Sequence, residues 1–229
     1  MKILAVGAHP DDIEIFMYGL IAACKQRGDE IILCVATDGA AGNIQINNNL
    51  KKIREKETLL GLAKVGIPCF LELIDGNLDG SLNAYKIICD YINDIKPDLV
   101  ITHDPNDYHP DHRSLSKYIT KSVGFKCPVL FAETLLGINF IPDIYVDITD
   151  YFEEKKNAIL SHKSQNPFAF IDAVEISNRY RSAQCNAPNQ NYAEVYRVSK
   201  TFPFADIRQI LPKAPKLRPF YEKNIDSLI

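Results

Sequence analysis

Residues 2–14 read KILAVGAHPDDIE: an apolar run that stops at His9, a proline and two adjacent carboxylates, Asp11 and Asp12. Apolar residues without alternation mark a strand covered on both faces, as in a parallel sheet. EIILCVAT (30–37), PCFLELI (68–74), DLVITH (98–103) and PVLFAE (128–133) repeat the pattern, and helix-period segments at 13–27, 50–65, 82–95 and 111–123 fall between them. This alternation predicts an α/β fold, a doubly wound and mostly parallel Rossmann-like sheet with helices on both faces. A further strand, IYVDIT (144–149), precedes a helix at about 150–163. Beyond it Asn, Gln, Pro and Tyr are frequent and the period weakens, with prolines punctuating a tail at 203–219. The expectation is one domain over 1–229, with a core at 1–163 and an irregular C-terminal extension or cap at 164–229.

Composition narrows the class without naming an activity. The 229 residues carry a net charge of −3 with no run of like charges, so nucleic acid and anionic membrane surfaces are not expected partners. Charges follow the first short apolar run too soon for a signal peptide, and no stretch approaches the ~18 apolar residues that span a bilayer. Cys24, Cys34, Cys69, Cys89, Cys127 and Cys185 are scattered, mostly in apolar segments, which fits buried thiols in the cytoplasm rather than a disulfide framework. Oligomeric state is not legible.

The opening motif has an echo. NDYHPDHRS (106–114) follows the fourth expected strand, as AHPDD follows the first. In doubly wound sheets ligands bind at the carboxyl ends of strands where the order reverses, and in the common 3-2-1-4-5 order those two ends are neighbours. Pro10 and Pro110 suit the first position of a helix. His9 and Asp12 then share a face of one helical turn, as do His109 and His112. Two imidazoles and a carboxylate form an N/O set suited to Zn²⁺ with one position open, and His9, Asp12 and His112 are the expected ligands. A metal there lowers the pKa of bound water to ~7. Asp11 and His109 remain for the base and acid that hydrolysis requires, and Asp111 is placed to orient an imidazole. Taken singly, Asp12 reads as a helix cap and each histidine as an ordinary residue; two HPD motifs after two strands carry more weight.

With AHPDD (8–12), TDGAAG (37–42), REKE (54–57), DG (75–76), HPDH (109–112), HKSQ (162–165) and YAEVY (192–196) in this order, the chain resembles the zinc-dependent LmbE-like (PIG-L) N-deacetylases. The resemblance implies one zinc held by His9, Asp12 and His112, with Asp11 as general base and His109 assisting the tetrahedral intermediate and the leaving amine. It implies that Arg54 contacts the sugar or the acyl product and that Asp75 helps hold sugar hydroxyls. From the residues alone, Arg54 reads as a solvated charge in KKIREKE and Asp75 as part of a turn. The chain departs from the pattern in three places. The glycine-rich helix of many relatives reads IEIFMYG here, keeping Gly19. The run NRYRSAQCNAPNQNYAE replaces a simpler segment. Some relatives carry a carbonyl-polarising tyrosine two residues before the HPDH histidine, whereas Tyr108 is immediately adjacent and stands as a substrate-side candidate.

The resulting expectation is a zinc-dependent hydrolase that removes an N-acyl group, acetyl in the first instance, from a small amino sugar or its conjugate. His109 is expected to be protonated, held so by nearby carboxylates such as Asp111. Two rivals belong to other classes. A non-haem Fe(II) oxygenase uses the same two-histidine, one-carboxylate set but leaves Asp11 and His109 without work. A nucleotide-binding module fits the fold class, yet the two carboxylates of GAHPDD would repel a pyrophosphate.

Overall fold

A computed structural model describes residues 1–42, 49–200 and 211–212. Strands β1 (Lys2–Gly7), β2 (Glu30–Thr37), β3 (Pro68–Leu73), β4 (Leu99–His103) and β5 (Val129–Ala132) coincide with the five apolar runs. They pair parallel throughout, β1 lying between β2 and β4. With β6 (Ile144–Asp147) and β7 (Ala193–Val198), the described residues form a seven-stranded sheet ordered β3-β2-β1-β4-β5-β7-β6. The order reverses between β1 and β4, so the two HPD motifs leave the sheet side by side.

Each strand feeds two cores because successive side chains point to opposite faces. Ile3 and Ala5 join one apolar cluster with Ile13, Leu20, Leu62, Phe152 and Ile159. Leu4 and Val6 join the other with Ile88, Ile92, Leu115 and Ile119. The covering helices are α1 (Asp12–Phe16), α2 (Tyr18–Gln26), α3 (Leu50–Gly61), α4 (Leu82–Ile95), α5 (Pro110–Val123), α6 (Phe152–Leu160) and α7 (Pro167–Gln184). Among the described residues no helix is long and apolar enough to cross a membrane.

Two local expectations differ from the structure. The helix expected at 13–27 is broken at Met17, whose φ of −135° and ψ of −6° are not helical. The break has a cause: the amides of Gly19 and Leu20 donate to the Glu194 carboxylate at 2.8 Å each, a cap supplied from β7. Gly19 is required there, since a Cβ would lie 2.4 Å from Ile148 Cγ2.

Residues 164–198 are also not irregular. Strand β7 inserts antiparallel between β5 and β6, inside the sheet, and α7 packs beside it. The buried stripe of α7 includes Asn178 and Arg181 alongside Ile171 and Val174, which explains its faint hydrophobic period. The tail expected at 203–219 lies outside the described residues apart from 211–212.

Candidate active site

At the carboxyl ends of β1 and β4 a pocket of about 290 Å³ opens, lined by both HPD motifs, by Arg54 and Asp75, and by Ile15, Phe16 and Phe170. His9 and Pro10 leave β1 in a turn, with the Asp12 amide donating to the His9 carbonyl at 3.3 Å. Pro10 is therefore outside the helix, contrary to the expectation. Asp11 is the N-cap of α1 at φ 119°, a strained position for a residue with a Cβ. The second motif behaves as expected: His109 caps α5 and Pro110 is its first residue.

His9 Nδ1 lies 3.2 Å from His112 Nε2 and 3.4 Å from Asp12 Oδ2. His112 Nε2 is 3.3 Å from Asp12 Oδ1. Asp12 thus meets the two imidazoles through different oxygens, and each separation is close to the roughly 3.3–3.4 Å edge of a tetrahedron with arms of ~2.0–2.1 Å, the size of a zinc site. The electrostatics agree. Against burial, the carboxylates of Asp111, Asp12 and Asp75 raise the His9 pKa. Against burial, Asp12 and Asp107 push His112 up to about 9. Against the same burial, His112 and His103 hold Asp12 well below the carboxylate range. Two imidazoles facing each other across a carboxylate thus hold protons that a cation would displace.

The far nitrogens of both imidazoles face carboxylates. Asp107 Oδ2 is 3.1 Å from His112 Nδ1. Asp75 Oδ1 and Asp111 Oδ2 are 3.2 and 3.4 Å from His9 Nε2. Asp111 thus faces the histidine of the other motif, and it also accepts the amides of Gly76 and Leu78 at 2.7 and 3.1 Å. It does not sit on His109. The expectation of a protonated His109 is opposed: burial lowers its pKa, and His9 and His112 lower it further, outweighing the pull of Asp12 and Asp111. Its Nδ1 accepts the Asp111 amide at 3.2 Å, so the ring proton is on Nε2.

Asp11 is pushed up to about 6 by burial, with Arg54 pulling the other way. Arg54 is 3% exposed, which overturns the solvated-charge reading of KKIREKE. It donates to Asp11 Oδ2 at 3.1 Å and to the carbonyls of Pro10 and Gly39 at 2.6 and 3.0 Å. Gly39 permits this approach: at φ +64° it bends the chain so closely that a Cβ would meet Pro10 Cδ at 2.7 Å. Asp75 is in the pocket and accepts the Ala41 amide at 2.9 Å. Tyr108 stands at the rim, 51% exposed.

Sequence reasoning missed two buried neighbours. Asp107 stands two residues before His109, and its Oδ1 accepts the His109 amide at 2.8 Å. His103 stacks on His112 at 3.7 Å, and its Nε2 is 3.0 Å from both the Ala8 amide and Asp12 Oδ2. That nitrogen cannot accept from the amide and donate to the carboxylate at once. A polar residue ending the buried run DLVITH was the available signal for His103.

A mostly parallel α/β sheet with a buried histidine–carboxylate cluster in an open pocket at its carboxyl edge has the form of an enzyme site. Residues 4–123 match the family described as "PIG-L: GlcNAc-PI de-N-acetylase", and the chain belongs to the PIG-L family. The diacetylchitobiose deacetylase of Thermococcus kodakarensis is 26% identical over 191 residues, 72% of this chain and 70% of that protein. The solved N,N'-diacetylchitobiose deacetylase from Pyrococcus horikoshii superposes with a TM-score of 0.76 at 26% identity, over 90% of this chain and 88% of that one. The 4-carboxy-2-hydroxymuconate hydratase from Pseudomonas putida KT2440 shares the fold, with a TM-score of 0.75 at 21% identity over 86% and 96% of the two chains. Like the deacetylases it matches, the chain is an amide hydrolase.

Proposed function

We propose that the chain is a zinc-dependent hydrolase that removes an N-acyl group, acetyl in the first instance, from a small amino sugar or its conjugate. The observation that carries this is the convergence of His9, Asp12 and His112, each pair of groups 3.2–3.4 Å apart with a different Asp12 oxygen toward each imidazole, beside a buried, strained Asp11. His9, Asp12 and His112 would hold one zinc per chain, and when bound it supplies a Lewis acid for the amide carbonyl and acidifies water. Asp11 takes a proton from the attacking water as the C–O bond forms, and Arg54 fixes the carboxylate that does so. The Nε2–H of His109 meets the charge developing on the carbonyl oxygen and then the amine as the C–N bond breaks. The proton taken by Asp11 leaves with that amine. Asp75 and Tyr108 serve the sugar side. The buried free thiols of Cys24, Cys34 and Cys127 support a reducing, cytoplasmic setting, with residues 1–229 working as one domain.

The test is amine release from N-acetylglucosamine and its conjugates. Chelation should abolish it and zinc restore it. Asp11→Asn should retain metal while losing at least ~10²-fold in kcat. Loss of metal from Asp11→Asn would overturn the division between Asp11 and Asp12. No amine release, with hydration of an unsaturated acid or a requirement for O₂ instead, would overturn the reading itself.

A further inference from the structure

The pocket has two unlike walls. On the His9 side Asp75 faces the imidazole, and Gly42 and Gly76 bring backbone to the cavity. On the His112 side the ring of Phe16 stands edge-on, 6.1 Å from His112 and 5.7 Å from His103, and Ile15 and Phe170 also line the pocket. Ile15 and Phe16 also line a second cavity of about 20 Å³, whose other walls include Leu135, Leu136 and Val174 together with the polar Glu133, Lys155, Asn178 and Glu194. Phe16 is therefore a partition: pocket on one side, and on the other a space little larger than a water molecule.

We infer that Phe16 is the acyl-side wall of the site and sets the longest acyl group the enzyme accepts. The inference rests on the deacylase reading above. An N-acyl amino sugar is hydroxylated on one side of its amide and hydrocarbon on the other. With its carbonyl at the His9, Asp12 and His112 donors, hydroxyls turned to the Asp75 side find a carboxylate acceptor. Against the aromatic wall they would be buried without partners, at a cost that fixes the orientation. The acyl carbons then point at Phe16. An acetyl methyl fits against the ring edge, whereas a longer chain meets the ring itself and has almost no space behind it.

The experiment measures kcat/KM for N-acetyl-, N-butyryl- and N-hexanoylglucosamine in the wild-type enzyme, Phe16→Ala and Phe16→Leu. Wild type should favour acetyl over butyryl by ~10-fold or more, since a misfit of one or two methylenes is worth that much in an apolar pocket. Phe16→Ala should join the two cavities and bring butyryl to parity with acetyl, and Phe16→Leu should fall between. Should Phe16→Ala not fold, Phe16→Leu and the competition of acetate, butyrate and hexanoate against wild type carry the same comparison. Acetate should then inhibit and hexanoate should not. A wild-type enzyme indifferent to chain length, or a folded variant with the wild-type ratio, would overturn the role of Phe16. Amine release from none of the three by wild type would instead overturn the deacylase reading.

Discussion

Replacing Arg54 by alanine separates two roles for that residue. As a substrate contact equal in ground and transition states, its loss would raise KM and leave kcat nearly unchanged. Its hydrogen bonds point to the other role: one to Asp11 Oδ2, two to the carbonyls of Pro10 and Gly39. With its pKa at about 6, Asp11 is roughly nine-tenths ionised at pH 7. An adjacent cation typically lowers a carboxyl by ~1–3 units, so its removal should place Asp11 near ~7–9. The sign is fixed because a general base works only when ionised: activity is lost as pH falls through the pKa, and a higher pKa moves that limb upward. Arg54→Ala should therefore move the acid limb of kcat/KM up by ~1–3 pH units, a loss of ~10- to ~1000-fold at a pH below both limbs, and recover at higher pH. The assay is amine release at saturating zinc from about pH 5 to about pH 9. A bound cation lowers Asp11 in both proteins, so the displacement between the two acid limbs is the quantity read. A rise in KM with an unmoved acid limb would refute the clamp and return Arg54 to the substrate.

Three further outcomes follow from the geometry. Asp107→Ala should weaken zinc affinity by ~10–100-fold in chelator competition, because the carboxylate that orients His112 is gone. His109→Gln should keep its metal and lose ~10²-fold in kcat; loss of metal content would make His109 a ligand instead. Gly19→Ala should lose ~1–3 kcal/mol in urea denaturation, as its Cβ would overlap Ile148.

The parallel strands and their order were legible because buried parallel strands write continuous apolar runs, and two motifs after two such runs located the pocket. Arg54 was not legible as buried. Leu50, Arg54, Thr58 and Gly61 recur at helical spacing and form the buried stripe of α3, but three of the four are not hydrophobic, so the stripe reads as solvated. Glu194 misleads in the same way, as a charge within AEVYRV that is 2% exposed. Beyond its strand neighbour Tyr196, its partners are the Gly19 and Leu20 amides and Lys155, groups brought to it by the fold rather than by sequence proximity. Asp107 and His103 lie outside the HPDH motif, so they acquire meaning only once β4 and α5 are placed against His112.

The insertion of β7 between β5 and β6 bears on how the enzyme comes into being. During synthesis both HPD motifs emerge early, and the five parallel strands can begin to associate. Strand β6 must wait for residues 193–198 to find its neighbour. The acceptor for the Gly19 and Leu20 amides lies 175 and 174 residues downstream, so the junction that carries Phe16 settles only when β7 arrives. Such distant closure is slow, since chain entropy must be lost before the contacts form. A chain interrupted after α6 would carry every proposed metal ligand on an unfinished scaffold, with β6 unpaired and the start of α2 uncapped. The fold thereby couples the quality of its pocket to the arrival of β7.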